Sequence, residues 1–208
     1  MAEKQKLGVL CSGRGTDLQS IIDAIDCGEV EAEIAVVLTD KPEAFALERA
    51  RKAGIKAVCV NRKEYEGREP FEEALIKELE EAGVTLVVLA GFMRILTPLF
   101  VRRFAGRIMN IHPALLPSFP GAHAHRDVLA YGVKISGCTV HFVDEGTDSG
   151  PIIMQAAVPV LPGDTEETLG ARVLEQEHII YPRCIQLYCE GRLKVDGRHV
   201  HIVEGELA

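Results

Sequence analysis

Asn110 and His112 stand two positions apart in the run Met109-Asn110-Ile111-His112-Pro113-Ala114-Leu115-Leu116-Pro117. In an extended segment such a pair points to the same side. An amide N–H₂ beside an imidazole suits a carbonyl that becomes tetrahedral. The amide donates to the developing oxyanion, and the histidine donates or relays a proton. Pro113 and Pro117 stiffen the loop that follows. A lone Asn-x-His is more commonly a surface Asn and a satisfied His, so the place of the pair in the fold carries the weight.

A carboxylate would complete such a centre, because it orients an imidazole and favours its charged form. Asp144, Glu145 and Asp148 lie with Gly146 and Gly150 in one loop between two β-rich runs. Spacing alone does not choose which acid faces His112, and a bland acidic turn has the same composition. Ser12-Gly13-Arg14-Gly15-Thr16-Asp17-Leu18 follows an apolar run and opens a helical pattern. Backbone N–H groups at such a start hold anions, so the turn reads as a mononucleotide phosphate cradle. It also reads as a plain tight turn with Thr16 or Asp17 as helix cap. Leu18 stands where a dinucleotide fingerprint needs a third glycine. His123-Ala124-His125 lacks acid or thiol partners at metal-ligand spacing and reads as loop histidines rather than a metal site. Glu177-His178 sits on a long helical pattern, where an ordinary surface is the default.

These residues need a scaffold. Leu7–Cys11, Ile34–Thr39, Lys56–Val60 and Thr85–Leu89 are apolar runs of strand length. Helical patterns over Leu18–Asp26, Pro42–Ala53 and Pro70–Ala82 separate them, and Gly54 and Gly83 mark two stops. Continuous apolar strands alternating with amphipathic helices predict an α/β, Rossmann-like, mostly parallel sheet with helices on both faces. Ligands then bind beyond the carboxyl ends of the strands, at Ser12–Asp17, Asp40, Asn61, Ala90–Leu96 and Asn110–Pro117. The second half predicts antiparallel elements. Ile135–Val143 and Ile152–Val160 are candidates to pair, and Asp164-Thr165 opens a helix reaching about Glu190. Val195-Asp196-Gly197-Arg198 is a hairpin turn in a closing β-ribbon. One domain over 1–208 is expected, with a nucleotide-phosphate half at 1–105 and a catalytic half at 106–208.

The chain has 208 residues, 47% apolar and 26% charged, with a net charge of -8. That charge argues against a general nucleic-acid binder, since few spare cations are available for phosphates. It allows a small anion held by local donors. The six cysteines form no C-x-x-C pair and read as reduced core residues of a cytosolic protein. The start, Met1 to Lys6, shows no cleavage signal, and no apolar stretch reaches membrane-spanning length, so a cytoplasmic protein without a membrane partner is expected.

Five segments taken together resemble one family. They are Ser12-Gly13-x-Gly15-Thr16-x-Leu18-Gln19, Ala90-Gly91-Phe92-Met93-Arg94-Ile95-Leu96, Asn110-Ile111-His112-Pro113, His141-Phe142-Val143 with Asp148-x-Gly150-Pro151, and Gln176-Glu177-His178. In this order they resemble the folate-dependent phosphoribosylglycinamide formyltransferases of purine synthesis, from Gly8 to about Lys194. The resemblance implies transfer of the formyl group of 10-formyltetrahydrofolate, as co-substrate, to the amine of 5-phosphoribosylglycinamide. It implies that Asn110 and His112 stabilise the oxyanion. Asp148 would keep His112 protonated and help move the amine proton, with no metal required. Gly15, Thr16 and Asp17 would hold the phosphate region and Glu177 the ribose. Met93, Arg94, Ile95, Leu96 and the segment Asp144–Asp148 would receive the pteridine, Asn110 would also contact the folate, and Arg68 would lie near the folate tail. The expected assembly is a monomer or homodimer. Asp17 departs from the family's usual Asn, and a carboxylate repels phosphate. The expectation is that its side chain caps the helix while its backbone N–H serves the anion and Arg14 offsets the charge.

Two related enzymes share the Asn-x-His and Asp pair. Methionyl-tRNA formyltransferase resembles a longer chain with a basic C-terminal domain, and formyltetrahydrofolate deformylase usually carries an N-terminal regulatory domain. Neither addition is expected here. A non-enzymatic nucleotide-binding module would need the Gly-rich turn but would have no use for Asn110, His112 and Asp148 together.

Overall fold

The computed structural model describes residues 4–204. The opening three residues, part of the start read above for a cleavage signal, lie outside them. The chain divides into two compact units, Met1–Met109 and Asn110–Ala208.

The first unit alternates strand and helix. It runs β1 (Gln5–Cys11), α1 (Thr16–Asp26), β2 (Ala32–Thr39), α2 (Ala46–Lys52), β3 (Ala57–Cys59), α3 (Arg68–Glu81), β4 (Leu86–Leu89) and α4 (Pro98–Arg103). The strands lie in the order β3-β2-β1-β4. Each pairing is parallel, with Val9 opposite Val37 on β2 and Val88 on β4. Leu7, Val9, Leu10, Val36, Val37, Val87 and Val88 are wholly buried. This is the reason the strands read as unbroken apolar runs: a parallel strand covered on both faces has no polar side. On α1, Leu18, Ile21 and Ile22 form one buried face, as do Phe71, Leu75 and Leu79 on α3.

Helix boundaries shift from the expected ones. The helix expected from Pro42 begins at Ala46. Lys41–Ala44 forms a turn instead, and the Ala46 N–H is drawn to the Gly13 carbonyl. The helix expected from Pro70 begins at Arg68, with Pro70 in the first turn, where its missing N–H is no loss. α1 begins at Thr16 rather than Leu18. The short α4, opened by Pro98, was not anticipated.

The second unit takes in the end of β5 (Ile108–His112), then α5 (Ala124–Tyr131), β6 (Ile135–Phe142), β7 (Ile152–Pro159), α6 (Glu166–Cys189), β8 (Leu193–Asp196) and β9 (His199–Ile202). Its strand order is β5-β6-β7-β9-β8. β6 and β7 pair antiparallel, as do β8 and β9, while β7 and β9 run parallel at Ile152 and His199. The fold class is therefore α/β, parallel in its first half with antiparallel strands in its second. Thr165 caps α6 by accepting from the Thr168 N–H, and the Thr168 hydroxyl accepts from the Thr165 N–H in return.

All six cysteines are free thiols. The expectation that all are core residues fails: Cys27 is exposed and Cys59 and Cys189 are half-buried, because they sit at element ends. Among the described residues no helix is long and apolar enough to cross a membrane.

Candidate active site

β5 delivers Asn110 and His112 to one end of the second unit, and β6 delivers His141 there. His141 Nδ1 lies 2.8 Å from the Phe142 carbonyl oxygen. A carbonyl can only accept, so Nδ1 carries the proton. Burial pushes His141 below the ordinary histidine value, against the Phe142 carbonyl and Asp148, which pull it up. A neutral ring protonated at Nδ1 leaves Nε2 as an acceptor. The Asn110 amide lies 3.1 Å from that nitrogen and donates to it. One amide N–H is thereby fixed, and the orientation of the whole carboxamide follows.

His112 is buried and bracketed. Its Nε2–H donates to the Phe119 carbonyl at 2.8 Å, and Nδ1 faces Asp148 Oδ2 at 3.5 Å. The other Asp148 oxygen lies 3.9 Å from His141 Nε2. Asp148 thus stands between two imidazoles, and it accepts the Gly121 N–H at 2.8 Å. Its backbone is left-handed, with φ 51°. The sequence left three acids as candidates for His112, and Asp148 is the one that faces it. Asp144 is used locally: its Oδ1 accepts from the Gly146 N–H and the Ser149 hydroxyl.

In the first unit the Gly-rich turn joins β1 to α1. Gly15 is the helix cap, left-handed at φ 68°, with no side chain capping the helix. This corrects the expectation that Thr16 or Asp17 caps it. A Cβ on Gly15 would lie 2.8 Å from the Ala46 Cβ, so α2 presses on the turn where only glycine fits. Arg49 of α2 donates to the Arg14 carbonyl at 2.8 Å and to the Gln19 side chain at 3.0 Å. The Asp17 side chain is buried, and burial pushes its carboxyl up to about 6. Burial first, and the Asp17 charge second, push the Cys11 thiol up as well, so that it is no nucleophile.

The loop Gly91–Thr97, after β4, is held by four residues outside it. Ser12 donates its N–H to the Gly91 carbonyl at 3.0 Å, and its hydroxyl accepts the Met93 N–H at 2.8 Å. Arg94 pairs with the buried Asp40 carboxylate at 2.7 Å. Arg68 donates to the Ile95 carbonyl, and Glu72 accepts from the Thr97 N–H and hydroxyl. Met93 and Ile95 are 59% and 63% exposed on this pinned backbone, an unusual state for large apolar side chains.

Three comparisons bear on the identity of this arrangement. The formyl transferase family matches residues 5–185. The phosphoribosylglycinamide formyltransferase of Escherichia coli K12 is 48% identical over 187 residues, covering 90% of this chain and 88% of that one. The chain belongs to the formyl transferase family. A solved structure of glycinamide ribonucleotide transformylase 1 from Symbiobacterium toebii superimposes with a TM-score of 0.96 at 50% identity, covering 98% of this chain and 96% of that one. The trifunctional purine biosynthetic protein adenosine-3 of Drosophila pseudoobscura pseudoobscura is 49% identical over 193 residues, of which this chain spans only 14% of the length.

Within this formyl transferase, Asn110, His112 and Asp148 come together as one cluster. Gly15, Thr16 and Asp17 form the start of α1, and Met93–Leu96 form the pinned loop. Arg68 meets that loop through the Ile95 carbonyl. Glu177 is buried on α6 rather than lying on its surface, as a helix pattern alone would place it. His123 precedes α5 and His125 lies in its first turn, so the latter is a helix residue and not a loop one. Burial first, and then the His112 charge, lower the basicity of His125 against Glu166. Sequence reasoning quoted His141 inside a motif but gave it no role. It marked Ser12 and Asp40 at strand ends as places for a ligand, not as anchors of the Gly91–Thr97 loop, and Glu72 carried no signal.

Proposed function

We propose that the chain transfers the formyl group of 10-formyltetrahydrofolate to the amine of 5-phosphoribosylglycinamide, giving the N-formyl product and tetrahydrofolate in purine synthesis, as a cytoplasmic enzyme whose two units act as one formyltransferase domain. The observation that carries this reading is the Asp148 carboxylate set between His112 and His141, with the Asn110 amide fixed on His141. The amine lone pair attacks the formyl carbon and the carbonyl electrons move onto oxygen. The second Asn110 N–H, not engaged by His141, receives that oxyanion. His112 holds an N–H on the Phe119 carbonyl. An oxygen gaining negative charge is a stronger acceptor and competes for it. Asp148 takes the proton lost by the amine, directly or through water. Collapse breaks the bond to N10 of the folate, and the proton returns to that nitrogen.

The start of α1 takes the phosphate through backbone N–H groups, with Arg14 offsetting the Asp17 charge, and Glu177 takes the ribose hydroxyls. Met93 and Ile95 offer apolar cover to the pteridine, while the backbone of Arg94 and Leu96 and the Asp144 segment offer it polar contacts. Arg68 serves the acidic tail.

The test is turnover with the donor alone and with both substrates. Tetrahydrofolate release should require the ribonucleotide, and rapid release without it would make the chain a deformylase. Asp148→Asn and His112→Ala should each lower kcat by on the order of 10² or more, the scale of proton transfer and oxyanion stabilisation. Parental turnover in the folded variants would remove the catalytic assignment.

A further inference from the structure

The closing hairpin meets the catalytic loop at one charged contact. Arg198, at the hairpin turn between β8 and β9, donates to the Ser149 carbonyl at 2.9 Å. Ser149 follows Asp148, whose left-handed backbone is a costly conformation for a residue other than glycine. Such a conformation persists only where its surroundings fix it. Ser149 is held on two sides, its hydroxyl 2.6 Å from Asp144 Oδ1 and its carbonyl on the Arg198 guanidinium. Gly150 lies so flat against the end of β6 that a Cβ would sit 1.8 Å from the Phe142 carbonyl oxygen. The loop therefore cannot relax toward β6, and Arg198 closes it from the hairpin side. The parallel pairing of His199 with Ile152 of β7 sets where the guanidinium reaches. Residues 193–202 lie beyond the stretch that the formyl transferase family matches.

We infer that Arg198 is a positioning residue for the transfer reaction: through the Ser149 carbonyl it holds the backbone turn that aims the Asp148 carboxylate between His112 and His141. This rests on Asp148 handling the proton. Arg198 is exposed, and its hydrogen bond goes to the Ser149 carbonyl, which is not among the groups assigned to either substrate, so its loss should act on turnover and not on binding.

The experiment compares Arg198→Ala, Arg198→Lys, Asp148→Asn and the double variant in steady-state formyl transfer, with Tm as the check on folding. Arg198→Ala should lower kcat about tenfold, within the range that a misplacement of an ångström or less produces, and leave both KM values within about twofold. Arg198→Lys keeps a cationic donor and should recover most of the loss. In the Asp148→Asn background, Arg198→Ala should change nothing further, because its effect passes through the missing carboxylate. Unchanged kcat in Arg198→Ala, failure of lysine to rescue, or an undiminished further loss in the double variant would each overturn the assignment. Parental kcat in Asp148→Asn would instead remove the role of Asp148, and the positioning role with it. A large loss in Asp148→Asn beside a silent Arg198→Ala would remove the positioning role alone.

Discussion

Asp17 carries a conflict that one substitution can expose. Its carboxyl is buried at the start of a helix assigned to a phosphate, and burial lifts it from 3.8 to about 6. A carboxyl with a raised folded value takes up protons more readily in the native state than in the unfolded chain. The stability it contributes is present in full below about 3.8 and is lost as the pH rises through about 6. At pH 8 the native state therefore holds an unfavourable buried charge, worth at most about 3 kcal/mol for a shift of roughly two pH units. Asp17→Asn should raise Tm at pH 8 and leave it nearly unchanged at pH 4, and it should lower KM for the ribonucleotide by removing a negative charge from the anion site. A Tm gain of equal size at both pH values would show that the carboxyl is not the titrating group.

Elements were legible where a local pattern dictated them. The apolar runs of β1, β2 and β4 follow from burial on both faces, and the closing hairpin follows from Asp196-Gly197. The Asn110 and His112 pair was readable because both members share one strand, whereas the spacing left Asp144, Glu145 and Asp148 open and only the family resemblance pointed to Asp148. What failed was non-local. The first turn of α2 is set by a hydrogen bond from Ala46 to Gly13 across a different loop, and α4 is a short helix that Glu72, on α3, caps from outside. No window of sequence contains both partners. The same holds for His141, whose role depends on the proton that Phe142 fixes and the amide that Asn110 supplies. The Glu72 contact has a direct consequence. Glu72→Ala leaves the buried Thr97 N–H without its acceptor, at a cost of about 1–3 kcal/mol, and frees one end of the Met93–Leu96 loop. A lower Tm and a higher KM for the folate should appear together, whereas Glu72→Gln, which can still accept from Thr97, should stay near the parent in both. A Tm loss with an unchanged folate KM would count against the loop assignment.

At the scale of the whole molecule the net charge of -8 and the anionic nature of both proposed substrates pull in opposite directions. Binding must then rely on a few fixed donors rather than on the general field. In the proposed assignment those donors are backbone groups on loops pinned by distant side chains. Ser12 is the clearest of these pins, since its N–H and its hydroxyl tie the start of the Gly-rich turn to Gly91 and Met93. If the two segments serve the nucleotide and the folate as proposed, ordering either would restrain the other, and the two ligands would share part of the entropy cost of binding. Linkage then demands reciprocity: the factor by which the first ligand tightens the second must equal the factor by which the second tightens the first. Calorimetry of a non-reactive folate analogue, with and without the ribonucleotide, should give a ratio of about fivefold or more, at the lower end of ordinary coupling. The ratio should shrink toward unity in Ser12→Ala, even if each ligand alone still binds. A single hydroxyl would then decide whether the enzyme senses its two substrates independently or as a pair.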